Sequence, residues 1–243
     1  ETAFNWGANA YRQGDLPTAV KKLETAQALD PDDTRTEELL RAVRERQSPN
    51  LNLDASGWWD SDDRRYRRCG ATVADFLCLD LQLRAGIYRH FWHREDIEDE
   101  YGTRLRLGAQ WFFAEEYWAD ADIWYMQLDT VDDHVGGVAR LRLPAHWLNG
   151  HLTLEAAREE IDTVEAVNNE ILAHRASLFT YSRVADVWDV FTSWYYIDRT
   201  DSNATWIVDA RILRRIMEGP YLGIGYRGRY ADSDTDPVEY WAP

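Results

Sequence analysis

The sequence predicts a mainly-β fold with a short α segment: an antiparallel, up-and-down barrel of about eleven strands that follows a pair of helices. Three observations predict it. The hydrophobic period changes at Ser48-Pro49 from that of a helix, near 3.6, to that of a strand, 2.0. Beyond that point, alternating segments of about ten residues are joined by long and short connections in turn. Aromatic residues gather at the ends of those segments.

The helical part comes first. Residues 4–15 and 17–29 read as amphipathic helices joined at Gly14-Asp15, and Asp30-Pro31 stops the second. Gly7, Ala19 and Ala26 stand where two helices would cross closely, with Leu16 and Leu23 as bulk. The stretch Asn5-Trp6-Gly7, Gln13-Gly14-Asp15, Ala19, Ala26 and Leu29-Asp30-Pro31 resembles a tetratricopeptide repeat at its usual spacing. Ala3 stands where that motif has its first-turn Trp. A third helix, 34–47, reads as the start of a next repeat or as a cap. One repeat cannot bury its own apolar face, so either further repeats precede Glu1, which is the expectation, or this unit packs on the β domain. The domain division is 1–49 helical and 50–243 barrel.

The strands are expected at 51–59, 64–74, 77–91, 103–113, 117–128, 135–143, 151–157, 173–182, 186–197, 204–216 and 221–231. Leu77, Leu79, Leu81, Leu83, Ala85 and Ile87 share one face, opposite Cys78, Asp80, Gln82 and Arg84. Leu105, Leu107, Ala109, Trp111 and Phe113 alternate with Arg104, Arg106 and Gln110. Val135 to Leu143 alternates with Arg140 and Arg142, and Leu152 and Leu154 alternate with Thr153 and Glu155. Trp206 to Ile212 opposes Asp209 and Arg211, and Leu222, Ile224 and Tyr226 oppose Arg227 and Arg229.

Connections after odd strands are long or acidic: 60–63, 92–102, 129–134, 158–172, 198–203 and 232 onward. Those after even strands are short: Asp75-Phe76, Ala114 to Glu116, Trp147 to Gly150 and Met217 to Pro220. Long loops at one rim and tight turns at the other mark an outer-membrane barrel. Trp58-Trp59, Phe91-Trp92, Trp111 to Phe113, Tyr117-Trp118 and Trp194 to Tyr196 read as interfacial girdles. A soluble sandwich would scatter its aromatics through the core. With the helices on the tight-turn side, an eleventh strand ends at the outer rim. Single-chain bacterial barrels return to the inner side, so an incomplete barrel lacking C-terminal strands is expected.

Composition sets bounds. Of 243 residues 13% are aromatic, including 12 Trp, which excludes a disordered chain. The mean hydropathy of −0.56 is what a soluble protein has, and also what a barrel with a polar lumen has. The net charge is −16; the first 50 residues hold nine acidic and seven basic side chains, leaving −14 on the strand region. Nucleic acid is thereby excluded as a partner, while a cationic or neutral ligand fits. Cys69 and Cys78 have no metal-ligand spacing and are expected either as a bridge or as two buried thiols.

The combination of a tetratricopeptide-type hairpin with a barrel resembles the outer-membrane exopolysaccharide exporters, nearest the poly-N-acetylglucosamine export porins. The residues that carry it are Thr163-Val164-Glu165-Ala166-Val167-Asn168-Asn169, Tyr181-Ser182, Asp201-Ser202-Asn203 and Tyr240-Trp241-Ala242-Pro243. Ser202 departs from the usual glycine, and Ala242 from a small polar residue. The resemblance implies a fold, an incomplete antiparallel up-and-down outer-membrane β-barrel preceded by the helical hairpin. It implies a role in passing an exopolysaccharide from periplasm to cell surface for a biofilm matrix, without catalytic residues or cofactor. Its implied partners are the glycan, outer-membrane lipid and a periplasmic polysaccharide-modifying enzyme on the helices. Asp80, Asp120, Asp122, Glu155 and Asp209 are candidate pore-lining carboxylates that attract a cationic glycan. The alternative is an ordinary lumen wall, paired with Arg84, Arg104, Arg106, Arg140, Arg142 and Arg211.

Other constellations are weaker. Glu159-Glu160 and Asp132-Asp133 fall in expected loops, where solvated charge explains them better than glycosidase chemistry. His90 and His93 point to opposite strand faces, which argues against a shared metal. Asp232, Asp234 and Asp236 suggest half of a calcium loop, but Pro237 replaces the required Gly. Two further readings are a membrane-anchored scaffold and a carbohydrate-active enzyme of soluble β fold; another polymer such as cellulose stays open.

Overall fold

The computed structural model describes residues 2–61, 63–114, 117–161, 163–185, 187–215 and 221–233. Three helices, α1 (Thr2–Gln13), α2 (Leu16–Leu29) and α3 (Thr34–Gln47), precede the first strand. Asp15 caps α2 by accepting from the Thr18 amide at 3.1 Å, and Gly14 takes the left-handed φ of +80° that the sharp reversal needs. Ala10, Leu16, Ala19, Val20, Leu23, Leu40 and Val43 form their shared core. Gly7 permits the close crossing, because a Cβ there would lie 2.7 Å from Leu23 Cγ.

From Asn50 the chain forms one antiparallel sheet in simple up-and-down order. Its strands are β1 (Asn50–Trp59), β2 (Arg65–Cys78), β3 (Leu81–Arg94), β4 (Ile97–Ala114), β5 (Tyr117–Leu128) and β6 (His134–Ala145). They are followed by β7 (Gly150–Glu160), β8 (Leu172–Val184), β9 (Trp188–Arg199), β10 (Asn203–Arg215) and β11 (Tyr221–Ser233), with a short helix α4 (Val164–Asn168) between β7 and β8. Among the described residues β1 and β11 are not paired, so the sheet is open. Eleven strands were expected, and eleven are present among the described residues.

The sheet is inside out relative to a soluble protein. Leu53, Leu107, Ile123, Trp194, Trp206 and Ile224 are exposed on one face, Leu107 at 63% and Ile224 at 75%. The other face carries Asp120, Asp122, Glu155 and Asp209, all below 9% exposure. Alternation of this sense is that of a strand with lipid outside and water within.

Two boundaries differ from expectation. The tight turn after β2 lies at Leu79-Asp80, not at Asp75-Phe76. A β-bulge between Phe76 and Cys78 inserts one residue, so the run of alternate leucines from Leu77 to Leu83 crosses a turn instead of following one strand. Similarly, the acidic stretch expected as a loop at 92–102 is strand, with β3 and β4 continuing to a turn at Glu95-Asp96. Its polarity is partly internal: Glu100 is fully buried and accepts from the Asp129 and Thr130 amides. The expected turn at 217–220, the residues Glu115 and Glu116, and the segment from 234 lie outside the described residues.

The helices stand at the end of the sheet that carries the turns after even strands. Phe76 packs against their core, and Lys21 Nζ lies 3.6 Å from the Asp80 carboxylate. Cys69 and Cys78 are exposed and unbonded, neither bridged nor buried as expected. Nine residues apart on one strand, they are too distant to join.

Gly108 is paired with Asp122, and a Cβ on it would lie 1.8 Å from Asp122 Oδ1. Gly108→Val is therefore expected to destabilise the folded chain by about 1–3 kcal/mol through overpacking, read as a lower urea midpoint in detergent micelles.

Candidate functional site: the concave wall

Inward side chains of β3 to β8 build a continuous chain of ion pairs. Arg106 lies 2.5 Å from Asp122, which also meets Arg84 at 3.3 Å. Arg84 bridges to Asp120, and Arg140 joins Asp120 at 3.4 Å to Glu155 at 2.5 Å. Arg175 continues from Glu155 at 3.0 Å to Glu159 at 2.6 Å. Near the last strands, Asp209 sits between Arg211 at 3.1 Å and Arg227 at 2.8 Å. Each of these four candidate carboxylates is thus held by two arginines, and charge-assisted pairs of this kind fix geometry as well as charge. The ion-paired wall is what the geometry contains at Asp120, Asp122, Glu155 and Asp209. Asp80 is the exception. It stands in the turn after β2, at the helix end, because the bulge moves that turn down the chain.

A second feature of the wall is aromatic. Phe179 and Tyr181 on β8 face Tyr195 and Phe191 on β9, with ring centroids 5.3 Å apart for Phe179–Tyr195 and 5.1 Å for Tyr181–Phe191. They line a cavity of about 680 Å³ together with Arg142, Arg227 and, from α1, Asn9 and Gln13. The Tyr181 hydroxyl donates to Asp189 at 2.8 Å. Tyr195 was expected in an interfacial girdle. Instead, Trp194 points outward, 52% exposed, and Tyr195 points in. Alternation through Trp194-Tyr195-Tyr196 was the available signal, and three consecutive aromatics masked it.

At the opposite end the connection between β7 and β8 folds over the concave face. Val164 and Val167 of α4 pack against Tyr66, Trp92, Met126 and Leu128 of β2, β3 and β5. Arg94 of β3 forms an ion pair with Glu165, and Asn168 Nδ2 donates to the Glu98 carbonyl at 3.2 Å. A segment that leaves β7 and touches β3 and β4, several strands away in the sheet, crosses the opening and narrows it. Glu160, expected as solvated loop charge, is instead buried. It accepts from Trp124 Nε1 at 2.8 Å, lies 2.8 Å from His134 Nε2 and pairs with Arg104 at 2.6 Å. In the loop beside it, the Tyr125 hydroxyl and the Leu128 amide hold the Asp133 carboxyl below the usual carboxylate range. His90 and His93 do diverge: His90 is fully buried beside Tyr66, 3.0 Å from its hydroxyl, and His93 pairs with Asp99. Of the Asp232, Asp234 and Asp236 set, only Asp232 falls within the described residues.

Fold and wall together define a class: an antiparallel up-and-down sheet with an apolar outer face and a charged, aromatic-lined inner one. No protein-family model matches the chain, and no curated protein matches it. Among solved structures, one described as a bacterial polysaccharide outer membrane secretin is similar, with a TM-score of 0.61 and 14% identity. The likeness covers 78% of this chain, which spans 66% of the length of that structure. At that identity the likeness is one of fold.

The wall ranks its own members. Asp122 has no exposed side-chain surface, so Asp122→Asn leaves Arg106 without its carboxylate, while Arg84 keeps Asp120, and is expected to cost about 3 kcal/mol. Asp209→Asn, whose arginine partners are 59% and 69% exposed, should leave the unfolding midpoint close to wild type. Urea unfolding of the two variants in the same detergent compares them.

Proposed function

We propose that this chain is part of an outer-membrane conduit that passes an exopolysaccharide from the periplasm to the cell surface. The observation that carries the reading is the inward aromatic strip Phe179, Tyr181, Phe191 and Tyr195, set in an ion-paired wall inside a sheet whose other face is apolar. Sugar rings have apolar faces that rest on aromatic side chains and hydroxyl edges that pair with carboxylates and guanidinium groups. Alternating charge along the wall offers such partners repeatedly without one deep binding site, which suits a polymer that has to keep moving.

In this reading the helices stand in the periplasm at the entrance, where Asn9 and Gln13 border the aromatic cavity. As a tetratricopeptide-type hairpin they hold the polymer or the enzyme that modifies it. The segment carrying α4 is the constriction at the exit. The polymer is poly-N-acetylglucosamine destined for a biofilm matrix. Partial deacetylation makes that glycan cationic, and the acidic loops at the exit rim, with Asp63, Glu95, Asp96 and Asp132, attract it. Asp80, exposed at the entrance turn, accepts hydrogen bonds from it, while Asp120, Asp122, Glu155 and Asp209, buried in their ion pairs, hold in place the arginines that donate to it along the path.

Conductance of the protein in planar bilayers tests this. Partly deacetylated glucosamine oligomers are expected to block it at lower concentration than neutral cello-oligosaccharides of equal length. Tyr195→Ala with Phe179→Ala should raise the half-blocking concentration about tenfold by removing stacking. Equal block by both sugars would assign the conduit to a neutral polymer such as cellulose. No block by either would leave the sheet as an anchor for a helical scaffold.

A further inference from the structure

We propose that the outward face of β2, β3 and β4, at the end away from the helices, binds the phosphorylated headgroup of an anionic membrane lipid. This rests on reading the sheet as membrane-spanning. Along β3 the outward side chains run Leu81, Leu83, Ala85, Ile87, then Arg89, Phe91 and His93. Along β2 they run Val73, Ala71, Cys69, then Arg67 and Arg65. The ladder puts Cys69 opposite Arg89, Arg67 opposite Phe91, and Phe91 opposite Tyr101, so arginines and rings share one patch.

Its height is informative. Leu81 to Arg89 is about 26 Å of strand, and a tilt of about 40° reduces this to about 20 Å along the barrel axis, close to the height of an apolar belt. The arginines therefore begin where hydrocarbon gives way to headgroups. At the helix end of the same strands the outward positions are Leu81, Trp111 and Phe113, and none on β2 to β5 is basic. The basic patch belongs to one rim alone among these strands, in a chain of net charge −16.

The patch is also shaped. Trp59, Arg65, Arg67, Arg89, Phe91 and Tyr101 line a groove of about 1090 Å³. The Arg89 guanidinium lies 5.5 Å from the Tyr101 ring centroid, and Phe91 and Tyr101 are 5.0 Å apart. Arg89 reaches Asp129 at 3.1 Å and Arg65 reaches Asp63 at 3.7 Å, both exposed pairs at the edge. Arg67 has no ion-pair partner among the described residues. A phosphate placed between Arg67 and Arg89 would leave acyl chains lying down the wall formed by Val73 and Ile87. A free anion would use the guanidinium groups but neither the aromatic rim nor that wall.

The test uses the chain in dodecyl maltoside micelles and titrates it with diphosphorylated lipid A, binding being followed by native mass spectrometry. R67Q/R89Q is expected to bind about thirtyfold more weakly, since each arginine near an anionic headgroup contributes about 1 kcal/mol. Arg41→Gln, on α3, should bind as wild type. Unchanged affinity in R67Q/R89Q, with heat-modifiable β-barrel mobility retained, overturns the lipid site and leaves the membrane reading standing. Displacement of lipid A by equimolar inorganic phosphate overturns it as well, since the groove would then be a site for free anion. A chain that is monodisperse without detergent would bring down the membrane reading and the lipid site together.

Discussion

In a single antiparallel ladder running from Asn50 to Ser233, every second side chain lies on the same face between its bulges, and the backbone groups of neighbouring strands satisfy one another. That pairing frees the outward side chains from any polar duty, so Leu107, Ile123 and Trp194 can all face a medium without hydrogen-bonding capacity. It also obliges the inward side chains to manage their own charges. The features of the wall, the constriction and the outer patch all follow from this division of one strand into two environments.

The inner charges are managed by doubling. A lone buried carboxylate is costly, and a partner that is lost leaves an uncompensated ion. Placing Asp120, Asp122, Glu155 and Asp209 each between two arginines spreads that risk, and linking pairs from Arg106 to Glu159 ties six strands at their inner surface. Room for the carboxylates comes from small residues opposite them: Gly108 stands across from Asp122, as Gly136 stands across from Trp124. The aromatic strip on β8 and β9 lies beside this network, and the helices border its entrance.

Period and parity were legible in the sequence, because each is a local property repeated over many residues. The helices at 4–15, 17–29 and 34–47, the eleven strands and the inward sense of Asp120, Asp122, Glu155 and Asp209 all came from it. Where reading failed, a non-local fact decided the matter. A bulge at Leu77 reversed parity and carried Asp80 out of its strand, although the leucine alternation continued unbroken across the turn. Glu160 looked like loop charge because its partners Arg104, Trp124 and His134 are brought near only by the ladder. The acidic run 95–100 looked like loop because strands that leave a membrane lose their apolar face. The pairing of α4 with β3 and β4 has no local signature.

The central claim is that the two faces of one sheet meet different media. Spin labels placed singly at 104 to 107, 109 and 110 on β4, with both native cysteines replaced, measure this directly in reconstituted vesicles. The account predicts strict alternation: labels at 105, 107 and 109 collide with oxygen dissolved in lipid, and those at 104, 106 and 110 with an aqueous nickel chelate. Water contact at all six positions, or the opposite phase, would contradict it.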